Sequence, residues 1–231
     1  MILFGKLSKK DKKRITPLFL IMCVSYTTLT LLSNIISGKI ISIFGYIVPS
    51  GVLIFPLLYI LSDIMTETMG MRLSMVAIRL NAIANIFMAI LFYIVIKMPY
   101  PEFWNNQNAY IIVLSMSWRM VIASILGTFV GDYANSAIVS LMKIFQKGKY
   151  FPIRAISSTI VGQFLDSSIF ITLTFYGIIQ NVKIVEMIFV QYLFKVLYEI
   201  ICLPITIRII KMIKNKNYDH YDEIKIETYK F

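Results

Sequence analysis

Two carboxylates inside an apolar run are the residues of this sequence best placed to do chemistry. Asp63 and Glu67 lie within the stretch from Phe55 to Gly70, Phe-Pro-Leu-Leu-Tyr-Ile-Leu-Ser-Asp-Ile-Met-Thr-Glu-Thr-Met-Gly. Phe55, Tyr59, Asp63 and Glu67 recur at every fourth residue, so on a helix they stack as one stripe. A carboxylate facing lipid costs roughly 2.5–3.5 kcal/mol on insertion scales, so the stripe is expected to face a bundle interior or a water-filled cavity. Two like charges one turn apart also need partners close by. Carboxylates so placed can accept hydrogen bonds from a ligand or carry a proton.

Other apolar runs bring similar polar stripes. Gln191, Lys195 and Glu199 repeat every fourth residue, with Tyr192 and Tyr198 adjacent. Thr159, Gln163, Asp166 and Phe170 share a face, as do Ser124, Thr128 and Asp132, with Asn135 close by. Asn34 and a crowd of hydroxyls (Ser25, Thr27, Thr28, Thr30, Ser33) mark the first run. A common central cavity explains all of them, because ionisable groups inside a membrane face a bundle interior. Each also has a plain structural reading. Lys195 and Glu199 can neutralise one another, Arg79 and Arg119 can snorkel to the interface, and the hydroxyls and aromatics can serve helix packing.

The elements that must position these groups are membrane helices. The chain of 231 residues is 58% hydrophobic, and its apolar runs reach the roughly 20 residues needed to cross a bilayer. An all-α integral membrane protein is expected, with six transmembrane helices and both termini cytoplasmic. The spans are read as about 15–37, 51–70, 73–96, 118–145, 155–179 and 185–210, with a short interfacial helix before the fourth. Residues 1–14 form a basic cytoplasmic arm, 15–213 the six-helix domain and 214–231 a charged cytoplasmic tail. Lys39–Ser50 is expected to be an outer, partly re-entrant connection, and Gly70-Met71-Arg72 a tight cytoplasmic turn. The expected outer connections hold only Lys39, Lys97 and Lys183, as the positive-inside rule requires.

The net charge of +11 does not form a face suited to nucleic acid; the basic residues cluster beside the apolar runs. Cys23 and Cys202 lie inside apolar runs, and the single His220 sits in the polar tail, so neither a disulfide framework nor a metal site is expected. No cofactor is expected, and no HExxH, GxSxG or P-loop supports an enzyme or an ATPase. One internal echo stands out: Gly131-Asp132-Tyr133-Ala134-Asn135-Ser136 matches Gly162-Gln163-Phe164-Leu165-Asp166-Ser167 in residue type. Internal repeats in transporters often meet at the substrate site.

The ordered series of motifs resembles the queuosine-precursor transporter family, also called the vitamin-uptake family. It consists of Ser33-Asn34, Phe55-Pro56, Asp63, Thr66-Glu67, Gly70, Arg119, Ala123-Ser124, Ser158-Thr159, Gly162-Gln163, Asp166-Ser167, Phe170, Tyr192, Phe194-Lys195, Glu199 and Pro204. One departure is Asn135, where that family usually has Asp, with Asp132 three residues earlier. The resemblance implies a cell-membrane, multi-pass importer of 7-deazapurines such as preQ0, preQ1 or queuine, precursors of a modified tRNA base. It implies alternating access, with proton coupling left open. The substrate-binding residues expected from it are Asn34, Phe55, Tyr59, Asp63, Glu67, Gln163, Asp166, Phe170, Lys195 and Glu199. Asp63, Glu67 and Asp166 would take the base's donor edge, Lys195 would balance their charge and Glu199 would orient Lys195. Arg119, Ser124, Asp132, Asn135, Thr159, Gln191 and Tyr192 would support them. The expected partners are the small-molecule substrate and the lipid bilayer, with a homodimer left open. A substrate-binding subunit of an energy-coupling-factor transporter, with a separate ATPase module, is the alternative; a membrane enzyme or scaffold without solute flux is the second.

Overall fold

A computed structural model describes residues 17–115 and 117–215 of the chain. The basic arm expected at 1–14 and the tail from residue 216 lie outside the described residues. Seven α-helices dominate: α1 (Pro17–Ile36), α2 (Phe55–Met69), α3 (Met71–Lys97), α4 (Gln107–Ser115), α5 (Ser117–Phe145), α6 (Phe151–Phe175) and α7 (Asn181–Asn215). Four stretches are long and apolar enough to cross a membrane by length and composition: Pro17–Ile36, Met71–Lys97, Gln107–Phe145 and Phe151–Phe175. Large apolar side chains cover the outside of the bundle, including Leu20, Val24, Phe87, Leu91, Phe189 and Leu197. A patchwork of that size has no place in water and suits lipid contact. The chain is a multi-pass, membrane-embedded helical protein.

The segment before α2 differs from the sequence expectation. Lys39–Ser50, expected as an irregular connection, holds a regular element: Ile40–Ile43 (β1) and Tyr46–Pro49 (β2) form an antiparallel hairpin, with Ile40 opposite Pro49 and Ile43 opposite Tyr46. Its two turn residues, Phe44 and Gly45, both have positive φ (50° and 86°), the geometry that matches the twist of paired strands. The expected 51–70 span is likewise broken. A 3₁₀ turn at Ser50–Leu53 precedes α2, which begins only at Phe55. Pro56 fits the first helical turn because the amide it lacks has no partner there in any case.

At 15 residues, α2 is about 22 Å long, short of the roughly 30 Å hydrocarbon core. It does not need lipid contact, because 13 of its 15 residues are buried. It is the axis of the bundle, surrounded by α1, α3, α5 and α7. Gly70 alone separates it from α3, at φ 90°, a conformation that favours glycine. Helices α5 and α6 form an antiparallel hairpin and are the most extensively packed pair. Helix α7 has two faces of opposite character. Val185, Phe189, Leu193, Leu197 and Ile201 are exposed, while Met187, Gln191, Lys195, Glu199 and Thr206 are buried.

Candidate functional site

The α2 stripe runs down the seam between α5 and α6. At its first turn, the Phe55 ring meets Phe170 of α6 edge-on, with centroids 5.9 Å apart. Lys195 of α7 places its Nζ 4.5 Å from the centroid of the same Phe55 ring and donates to Asp166 Oδ2 at 2.6 Å. That pair is wholly removed from solvent. One turn on, Tyr59 donates to the Gly162 carbonyl at 3.4 Å. Another turn on, Asp63 Oδ1 accepts from Asn135 Nδ2 of α5 at 2.5 Å. Glu67 closes the stripe about 18 Å from Phe55 along the axis.

Small residues let the seam close. A Cβ on Gly131 would lie 2.6 Å from the Tyr59 hydroxyl, 2.8 Å from Asp166 Cβ and 2.9 Å from the Gly162 carbonyl. A Cβ on Gly162 would lie 2.9 Å from the Gly131 carbonyl and 3.0 Å from Asn135 Cβ. These contacts are reciprocal: each glycine meets the other's carbonyl and the residue four positions after the other. The six-residue echo is therefore where α5 and α6 cross. It also extends backward, since Thr128-Phe129-Val130 matches Thr159-Ile160-Val161. Asn135 and Asp166 occupy equivalent places on either side of the crossing.

Much of the polar interior has no partner among the described residues. Gln163 and Gln191 leave both amide atoms unbonded, Glu199 both carboxylate oxygens, and Asp63, Asp132, Asp166 and Asn135 one oxygen each. Thr159 leaves its hydroxyl unbonded. All of these residues are buried. Buried polar atoms are normally hydrogen-bonded, and orphans in such number suit groups that a ligand or water would satisfy. Glu199 is expected from the sequence to orient Lys195; in the structure Lys195 donates instead to Asp166, a charged hydrogen bond across helices, and Glu199 makes no hydrogen bond to it.

Glu67 sits elsewhere, in a cation node. Arg154 contacts Oε2 at 2.9 Å, while Lys143 and Lys214 contact Oε1 at 3.3 and 3.0 Å. Lys143 also donates to the Glu67 carbonyl at 2.8 Å. The cations come from α5, α6 and α7, so one carboxylate ties three helices to α2. Lys143 and Arg154 lie near the ends of the fourth and fifth apolar runs, where basic residues are ordinarily read as loop charges. In the structure both are buried within helices, and only the isolated Glu67 in an apolar run hinted at such partners.

The remaining candidates are dispersed. Asn34 donates to Asn85 of α3 at 2.5 Å, and Asn85 donates to Asn81 at 3.0 Å. Asn81, Asn85, Ser124 and Thr128 line a narrow cleft between α3 and α5. The two α3 asparagines escaped the sequence reading, although their four-residue spacing in an apolar run is a signal. Asp132 accepts from the Tyr26 hydroxyl of α1. Arg119 is exposed and donates to the Tyr176 carbonyl at 2.8 Å, and half-buried Tyr192 stacks edge-on with exposed Phe164. Neither belongs to the buried seam.

No curated protein and no solved structure gives a match. A family model described as "Putative vitamin uptake transporter" matches residues 49–209. That interval spans α2 through most of α7 and contains the whole α2 stripe, the α5–α6 crossing and the α7 polar face. The chain belongs to the vitamin uptake transporter family.

Proposed function

We propose that the protein imports queuosine precursors, 7-deazapurine bases such as preQ0, preQ1 or queuine, across the cell membrane by alternating access. The carrying observation is the seam itself: unbonded carboxylate and amide groups lie beside the Phe55 and Phe170 rings on helices wrapped around a buried α2. A 7-deazaguanine offers adjacent N–H donors that Asp63, Asp166 or Glu199 can accept, and a carbonyl that Gln163 or Gln191 can donate to. Its flat face suits the aromatic pair. Lys195 and Tyr59 hold the surrounding groups in place, through Asp166 and the Gly162 carbonyl.

In this reading α2 and α7 join the four long apolar stretches to make six spans with both termini inside. Helix α2 is shielded by protein, and α7 turns its charges inward. The chemistry needed is binding and reorientation alone, with no bond made or broken.

The test is uptake of labelled preQ1, preQ0 and queuine into liposomes containing only this protein, with and without a pH gradient. Saturable uptake that an excess of unlabelled base abolishes supports the reading, and dependence on the gradient adds proton coupling. Saturable binding without flux points to a subunit that needs an ATPase partner. Absence of both binding and flux for all three bases removes the substrate assignment.

A further inference from the structure

Buried acidic side chains outnumber the buried basic side chains able to pair with them. Among the described residues, the fully buried cations are Lys143, Arg154 and Lys195. Lys143 and Arg154 both go to Glu67. That leaves Asp63, Asp132, Asp166 and Glu199 with Lys195 alone, four carboxylates against one ammonium. The ammonium is committed to Asp166 at 2.6 Å. Asp132 has a neutral donor, the Tyr26 hydroxyl, and Asp63 another, the Asn135 amide. Glu199, on the helix α7 that packs against α2, has no hydrogen-bond partner on either oxygen among the described residues.

A cluster of acids alone would say little, but the groups around this one are also acceptors in want of a donor. Asn135 is wholly buried, and its amide nitrogen is spent on Asp63 while its Oδ1 has no partner. Asp63 Oδ2 is likewise unbonded. Asp63 Oδ2 and Asn135 Oδ1 thus flank one contact between α2 and α5, and α7, which packs against α2, adds both unbonded Glu199 oxygens. All are acceptors, and the one nearby ammonium is engaged elsewhere. An uncompensated carboxylate is strongly disfavoured in an apolar interior. A proton on one carboxyl neutralises part of such a set, and a ligand that brings both N–H donors and positive charge satisfies all of it.

We propose that the Asp63–Asn135–Glu199 site receives a protonated amine carried by the transported molecule, so that the protein prefers a cationic ligand over a neutral one of the same shape. This rests on the transport reading above and narrows it. Among 7-deazapurines it selects those with a basic aminomethyl substituent over the nitrile. An ammonium supplies three donors and one charge, whereas a nitrile supplies neither.

The experiment compares binding of preQ1 (aminomethyl, cationic) and preQ0 (cyano, neutral) to the purified full-length protein in lipid nanodiscs. The expected result is at least tenfold tighter binding of preQ1, with that ratio falling towards one in Glu199→Gln. If that variant does not fold, Asp63→Asn serves for the same ratio. Equal affinities in the unmodified protein overturn the proposal, as does a ratio that both variants leave intact. If neither base binds, the substrate reading fails, and the amine site is then judged with benzylamine against benzyl alcohol. Thermal stabilisation by the amine alone, lost in Glu199→Gln, keeps the proposal; equal effects end it. Stabilisation by sodium over choline, without any preference between the organic pairs, assigns the site to an inorganic cation and also overturns it.

Discussion

Replacing Glu67 by Gln removes the one negative charge that three cations share. The consequences differ for each cation. Arg154 has 0% side-chain exposure and loses its 2.9 Å partner, so it becomes an uncompensated buried charge. Breaking a buried pair in this way costs about 3–5 kcal/mol. Lys143 keeps its 2.8 Å bond to the Glu67 carbonyl and loses less. Lys214 is 31% exposed and can turn to solvent, so its share is about 0–1 kcal/mol. Glu67→Gln should therefore destabilise by at least about 3 kcal/mol, on the order of a hundredfold in the folding equilibrium. Lys214→Met should stay within about 1 kcal/mol of the unmodified protein. The assay is reversible unfolding in mixed micelles, with base binding measured on the folded fraction. A Glu67→Gln protein as stable as the original would refute the node. So would Lys214→Met costing as much as Glu67→Gln, since exposure could not then be what ranks them. Loss of base binding in Glu67→Gln at unchanged stability would put Glu67 back in the substrate site.

Lys195 and Asp166 should behave as one unit. Lys195→Met alone leaves Asp166 buried without its cation and should cost about 3–5 kcal/mol, while Lys195→Met with Asp166→Asn should recover most of that loss in the same unfolding assay. Gly131→Ala must separate α5 from α6, because its Cβ meets the Gly162 carbonyl at 2.9 Å as well as two side chains. A cost of about 1–3 kcal/mol is expected, and adding Tyr59→Phe should recover little, since the backbone contact remains. Full rescue by Tyr59→Phe would show that the hydroxyl alone sets the spacing.

The sequence made the polar stripes legible because four-residue spacing is a property of any helix. Phe55, Tyr59, Asp63 and Glu67 do face inward, and so do Gln191, Lys195 and Glu199. Their partners were less legible, since pairing depends on which helices meet at which height. Lys195 was as well spaced for Glu199 as any i,i+4 pair, yet Asp166 is its partner. Glu67 and Asp63 look alike on paper, one turn apart, but α5 offers an asparagine at one level and a lysine at the other. The β-hairpin was missed because its turn residues, Phe44 and Gly45, include no Asn-Gly or Asp-Gly signal. The same limit applies to α2. Periodicity shows a polar face, but burial on every side comes from the helices packed around α2 and leaves no mark in a single helix.

Asn135 shows how the crossing resolves the departure from the family pattern. The resemblance stated from the sequence implies an Asp there, with Asp132 three residues earlier as the substitute it suggests. The geometry argues otherwise. Asp132 faces α1, where it accepts from Tyr26, while Asn135 faces α2 and donates to Asp63. Residues three apart on a helix diverge by about 60°, enough to give them different neighbours. The amide thus occupies the position of the missing acid, and it supplies something an ionised acid cannot, a donor to Asp63. Restoring the acid should therefore hurt this chain. Asn135→Asp sets two carboxyl groups about 2.5 Å apart, and two carboxylates that close cannot both ionise. One of the two must then keep its proton and donate it to the other, so the cost is that of holding the proton, and it should grow as the pH is raised. Asp63→Asn added to Asn135→Asp reverses donor and acceptor and should restore most of the stability, read as recovery of the unfolding midpoint. If Asn135→Asp is neutral and the swap brings no recovery, the Asp63–Asn135 contact does not carry the pairing assigned to it.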